Sequence, residues 1–138
     1  MTAPPCPLCQ RADETVLWQD AQCRVIAAPQ PDYPAFCRVI WHEHVREMSD
    51  LSPAQRAHLM AVVFVVETAL RELLQPAKIN LASLGNMVPH LHWHVIPRYS
   101  DDAHFPDAIW AAPRRSGIAH RVDRAALVRA LQDKLANR

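Results

Sequence analysis

The sequence predicts an α+β fold: a mainly antiparallel sheet of about five strands, with one long helix and a C-terminal helix. Three observations predict it. Short apolar runs rich in β-branched and aromatic residues recur between turn signals, at Thr15–Trp18, Gln22–Ala27, Phe36–Trp41, Lys78–Leu84 and Leu91–Pro97. One much longer run, Ser52 to about Leu74, carries helix start and stop signals. The regular strand–helix–strand alternation that builds a parallel sheet does not occur. A chain of 138 residues is long enough to bury one core without disulfide staples.

Each element has a local reason. Gln19-Asp20-Ala21 turns the chain between the first two strands. Pro29-Gln30-Pro31-Asp32-Tyr33-Pro34 cannot continue a central strand, because proline lacks the ladder N–H, so it reads as a loop before the third. Ser52-Pro53-Ala54-Gln55 combines a serine N-cap, proline at the first helical position and a glutamine that completes a capping box, and Pro76 stops the helix. Its middle, Leu59 to Val66, is apolar nearly all round, which predicts burial on more than one side and hence a subunit interface. Gly85-Asn86-Met87 turns between the fourth and fifth strands. Residues 101–117 read as irregular, and Asp123 caps a last helix with Leu127, Leu131 and Leu135 on one stripe.

Composition narrows the function. A formal net charge of +1 gives no basic field for nucleic acid, and no apolar run is long enough to span a bilayer. The N-terminus lacks the basic start and apolar stretch of a signal peptide, so the expected location is cytoplasmic. There, four cysteines are expected as thiols or metal ligands rather than disulfides. Cys23 and Cys37 lie in apolar strands and are expected in the core.

The chemistry concentrates in Pro89-His90-Leu91-His92-Trp93-His94-Val95-Ile96-Pro97-Arg98. Strand side chains alternate faces, so His90, His92 and His94 are expected in a row on one face, with Leu91, Trp93 and Val95 toward the core. Imidazole moves protons, binds metals and attacks electrophiles near neutral pH. Elsewhere the expectations are plainer. Arg98 reads as a weaker site candidate or simply a solvated strand end, Arg114-Arg115 as a solvated pair, and His42, His58 and His120 as surface residues. His104, Phe105 and Trp110 read as a packed loop, with a flap over a nucleobase as the alternative.

The run Gly85 to Arg98 resembles the histidine triad (HIT) signature, His-φ-His-φ-His-φ-φ with φ apolar, as in Hint and dinucleoside polyphosphate hydrolase-like members. Upstream, Val39-Ile40-Trp41-His42-Glu43-His44 is similar to the strand that ends in that family's fourth active-site histidine. The resemblance covers roughly Cys6 to Arg98. It implies a single HIT-like domain over 1–138, with a core at about 6–98 and a loop and helix over 99–138. It further implies a nucleotide phosphohydrolase or nucleotidyl transferase acting at an α-phosphorus: nucleoside phosphoramidates, dinucleoside polyphosphates or related conjugates. His92 falls on the nucleophile. His94 would hold its tautomer or pass a proton, and His44 and His90 would close the site and stabilise phosphate charge. Asn80 and Asn86 would contact ribose or phosphate, and the Gly85-Asn86-Met87 turn would offer backbone donors. The sequence departs from relatives at Ala28, where many carry an aspartate for the ribose hydroxyls, at Asn86 for a glutamine, and at Met87 for a serine.

Cys6-Pro-Leu-Cys9 is either a pair of thiols on a frayed terminus or half of a zinc site, since structural zinc needs four ligands. By resemblance to zinc-binding HIT-like proteins, His44 and His90 supply the other half, and no metal is required for the chemistry. A homodimer through the apolar helix and an adjoining strand is expected. Two rivals remain on the sequence alone: a non-catalytic nucleotide-binding module, and a metalloenzyme with its ion on the alternating histidines.

Overall fold

Side-chain alternation along five strands decides which face of the sheet is core and which is site. The computed structural model describes residues 5–136; residues 1–4 and 137–138 of the expected domain lie outside the described residues. A one-turn helix α1 (Pro7–Gln10) precedes β1 (Thr15–Gln19), β2 (Cys23–Ala27) and β3 (Cys37–Trp41). The long helix α2 (Pro53–Leu74) leads to β4 (Lys78–Ala82) and β5 (His92–Arg98), and α3 (Arg124–Leu135) closes the chain. The strands form one antiparallel sheet in the order β1-β2-β3-β5-β4.

Pairing of Arg24 with Ile40, Ile40 with His92 and Arg38 with His94 puts all five side chains on one face. Cys23, Val25, Cys37, Val39, Trp41 and Val95 take the other face, where they are buried against Leu59, Val62, Val63, Val66 and Leu70 of α2 and Leu127 and Leu131 of α3. Each such side chain, fully buried, contributes about 1.5–3 kcal/mol. Both helices therefore cover one face, and the histidine face is left to loops.

The caps are those the sequence predicts. Gln55 N–H donates to Ser52 Oγ at 3.2 Å while Ser52 N–H donates to Gln55 Oε1 at 2.8 Å. Gln75, at φ 49°, ends α2 just before Pro76. Asp123 Oδ1 accepts from Ala126 N–H at 3.2 Å. Burial of α2 on more than one side is met partly within the chain, because α3 packs beside the sheet against it, while Phe64 and Leu73 stay exposed. No helix among the described residues is long and apolar enough to cross a membrane.

One boundary matters for function. β5 begins at His92, not Leu91, because Leu91 leaves the regular ladder: its N–H donates to Val45 O (2.8 Å) and its carbonyl accepts from Trp41 N–H (3.2 Å). His90 therefore does not follow the strand's alternation.

Candidate active site and thiol–imidazole cluster

His92 and His94 sit mid-sheet on the loop-covered face, their rings edge to face with centroids 4.9 Å apart. Both are buried at the foot of a cleft of about 310 Å³ lined by Leu8, Arg38, Leu84, Gly85, Asn86, Met87, Val88 and Trp110. A second cleft of about 400 Å³, with Arg46, Ser49, Ser83 and Trp93 in its walls, shares Leu84, Gly85 and His92 with the first. His92 thus stands where two clefts adjoin. Gly85 lies at φ +74°, the left-handed region that favours glycine, and it shapes the 84–88 turn between them.

The His92 ring is held in one tautomer. Its Nδ1 lies 2.6 Å from His90 O, and a carbonyl only accepts, so Nδ1–H is the donor and Nε2 keeps its lone pair. Burial, and then the charge of Arg38, lower the His92 pKa, which keeps the ring neutral near pH 7. The tautomer is therefore held by the His90 carbonyl and not by the His94 side chain. His94 touches Phe36 and Trp110 at centroid distances of 5.3 Å, and its buried Nδ1 has no partner among the described residues. Burial, with His92 and Arg38 close by, pushes it down to about 4.

His90 is turned elsewhere. Its Nε2–H donates to Trp41 O at 2.6 Å, which leaves the Nδ1 lone pair aimed at Cys6 Sγ (3.4 Å), Cys9 Sγ (3.5 Å) and His44 Nδ1 (3.2 Å). Cys9 Sγ also lies 3.4 Å from His44 Nδ1. The expected row of three imidazoles is thus two in the cleft and one in this cluster. Tetrahedral zinc, with Zn–N about 2.0–2.1 Å and Zn–S about 2.3 Å, needs donors roughly 3.3–3.8 Å apart. Two thiols and two nitrogens at these spacings, one with its lone pair fixed inward, fit that ion. His90, His92 and His94 do not converge on a common point, so the metalloenzyme alternative has no geometric basis among the described residues.

Several polar residues fall differently from the sequence reading. Arg98 is no solvated strand end: it is 2 % exposed and pairs with Asp102 at 2.9 Å, with further bonds to Asn80 Oδ1 (2.7 Å) and Asp107 O (2.7 Å). Its side chain meets Asp102 because the chain turns back at residues 99–102, where Asp102 N–H donates to Tyr99 O. Asn80 therefore faces Arg98 and is not in the cleft wall, whereas Gly85, Asn86 and Met87 are. Asp102 also accepts from the Tyr33 hydroxyl (3.1 Å) and three backbone N–H groups, and Tyr33 oxygen lies 2.6 Å from His104 Nδ1. These bonds hold Asp102 well below the usual carboxylate range. Arg114 and Arg115 are both exposed, Arg114 bridged to Asp107 and Arg115 bound to Asp102 O and Phe105 O. His58 pairs with Asp20, and His120 with Asp101. Ala28 is buried beside Tyr33, Phe36 and Ile96. The sequence reading passed over Arg38, although a lone charge in the apolar run Cys37–Trp41 was a visible signal.

A histidine strand on the open face of a five-stranded antiparallel sheet, with one imidazole held in a single tautomer, defines a class. The HIT domain family model matches residues 10–101, and the chain belongs to the HIT family. It is 30% identical over 81 residues to a protein of Mycobacterium tuberculosis named AP-4-A phosphorylase, a match spanning 54% of this chain and 42% of that relative. The chain thus spans under half the length of the curated relatives it matches. Among solved structures it is similar to a histidine triad protein from Bradyrhizobium japonicum (29% identity, TM-score 0.72, 91% of this chain and 92% of that one). A Marinobacter aquaeolei histidine triad protein is 27% identical with TM-score 0.71, covering 92% of each chain. A histidine triad family protein from Mycobacterium smegmatis, described as zinc-bound, shares the fold at 24% identity and TM-score 0.61, over 94% of this chain and 89% of that one.

Proposed function

We propose that this protein is a nucleotide phosphohydrolase or nucleotidyl transferase acting at an α-phosphorus through a covalent nucleotidyl-His92 intermediate. The observation that carries it is the 2.6 Å bond from His92 Nδ1–H to the His90 carbonyl, which leaves a neutral imidazole with its Nε2 lone pair free. Nε2 attacks phosphorus, a P–N bond forms, and the bond to the leaving group breaks with its electron pair departing on the leaving atom, which takes a proton. Water, or phosphate in a phosphorylase, then attacks the same phosphorus. The P–N bond breaks, the nucleotide leaves, and His92 is regenerated. Backbone N–H groups of the Gly85-Asn86-Met87 turn are suited to hold the phosphate oxygens, and the adjoining second cleft gives the leaving group room.

The substrates that fit are dinucleoside polyphosphates, nucleoside phosphoramidates and related nucleotide conjugates; the relative named AP-4-A phosphorylase supports the first. Cys6, Cys9, His44 and His90 would hold a structural zinc, a reading that the zinc-bound Mycobacterium smegmatis relative supports. A closed four-ligand shell supplies a cross-link and no open position for substrate. We place the protein in the cytoplasm as one HIT-like domain over 1–138. It pairs as a homodimer through the exposed Phe64 side of α2 and the edge strand β4. Light scattering that reports a monomer at micromolar concentration would refute that dimer.

The test is nucleotide release from diadenosine polyphosphates, adenosine phosphoramidate and the guanosine equivalents, wild type beside His92→Ala. The variant should fall by at least about 10³-fold, as loss of a covalent nucleophile does. Undiminished turnover in His92→Ala would overturn the mechanism. Nucleotide binding without turnover by the wild type would leave a binding module.

A further inference from the structure

Arg38 is the one charged residue in β3, and strand alternation puts it on the histidine face beside Ile40. The ladder sets it directly opposite His94, one same-face position from the Ile40–His92 pair. Its guanidinium is half-buried, lies 5.4 Å over the Phe36 ring and helps line the 310 Å³ cleft. Nε is buried without an acceptor, and no described carboxylate lies within ion-pair distance of the side chain. The other arginines on this face are neutralised, Arg24 by Glu14 at 2.7 Å and Arg98 by Asp102 at 2.9 Å.

A half-buried cation without a counter-charge is costly, and burial accordingly pulls Arg38 below its usual range. Packing alone would favour an apolar side chain at this position. The planar fork of a guanidinium matches the paired oxygens of a phosphate, and the charge left open in the cleft matches an anion. We propose that Arg38 is a substrate-binding residue whose guanidinium pairs with phosphate oxygens of the nucleotide. This rests on the nucleotide reading above. The phosphate is either the one attacked by His92 or one in the leaving chain, and AMP and pyrophosphate represent the two.

Calorimetry with adenosine, AMP and pyrophosphate on wild type, Arg38→Met and Arg38→Lys, beside thermal melts, tests the assignment. Arg38→Met should bind AMP or pyrophosphate about 10- to 100-fold more weakly, the loss expected of a charge-assisted contact, with adenosine unchanged. The more affected probe identifies the phosphate. Arg38→Lys, which keeps charge without the fork, should fall between, and Arg38→Met should melt at or above the wild type. Unchanged phosphate binding, or an equal loss for adenosine, would overturn the proposal while leaving the nucleotide reading intact. A wild type that binds none of the three probes would overturn both. Should Arg38→Met fail to fold, the proposal is likewise refuted if Arg38→Lys binds both phosphates as tightly as the wild type.

Discussion

The polar clusters on either side of the cleft, around His90 and around Asp102, are closely bonded, and the cleft floor is not. Just before β5, His90 has both ring nitrogens engaged, one on Trp41 O and one on the Cys6, Cys9 and His44 cluster. At the far end the Asp102 carboxylate accepts from Arg98, Tyr33 and three backbone N–H groups. Between them, His94 Nδ1 and Arg38 Nε are buried without partners. An unsatisfied buried polar atom costs about 1–3 kcal/mol, so two of them side by side in the wall of one cleft are costly as architecture and suited to a binding floor.

The sharpest way to break this contrast is to cut a saturated end. Asp102→Asn leaves the Arg98 charge buried and unpaired, and should destabilise the fold by about 3–5 kcal/mol in urea melts. The same carboxylate makes stability depend on pH. Its pKa is depressed in the folded chain, so as pH falls below about 4 the unfolded chain takes up the proton first and stability drops. Asp102→Asn should flatten that acid limb, and an unaltered limb would mean that Asp102 is no brace.

At the other end the contrast predicts a metal effect on stability with little direct effect on the chemical step. Zinc held a hundred to a thousand times above its dissociation constant stabilises by about 3–4 kcal/mol. A strong chelator should lower the wild-type melting temperature accordingly, and Cys9→Ser should melt low with or without chelator, carrying less than one metal per chain by plasma emission. A wild type that is metal-free as purified and indifferent to chelator would reduce the cluster to a thiol pair.

Much of this was legible in the residues, and what was not has physical causes. Helix ends could be read because capping is local: Ser52, Pro53, Gln55 and Asp123 act on backbone groups within a turn. His92 and His94 could be read because alternation is a property of any strand. His90 could not, since its direction depends on Leu91 bonding to Val45 and Trp41, a pairing that no periodicity encodes. Arg98 was misjudged for a related reason. A charge at a strand end is usually solvated, and only the turn at 99–102 brings Asp102 back to it, drawing Asn80 out of the cleft as well. Arg38 required the register, because a buried charge becomes informative only once its missing partners can be enumerated.

The smallest effect sharpens the contrast most. Trp110 is 51% exposed in the 101–117 loop, yet it lines the cleft and tilts against His94 at 5.3 Å. The loop that carries it is fastened by Arg98 to Asp107 O and by Arg115 to Asp102 O and Phe105 O, so the indole is presented by the saturated end to the unsaturated floor. A half-exposed indole contributes little to folding, whereas stacking under a nucleobase contributes about 1–3 kcal/mol. Trp110→Ala should therefore raise KM for nucleotide substrates about 10-fold, with kcat little changed and the melting temperature within a few degrees of wild type, and Trp110→Phe should recover most of the loss. A lowered melting temperature at constant KM would assign Trp110 to loop packing and end the base-stacking reading, while the contrast between the braced ends and the open floor would stand on Arg38 and His94.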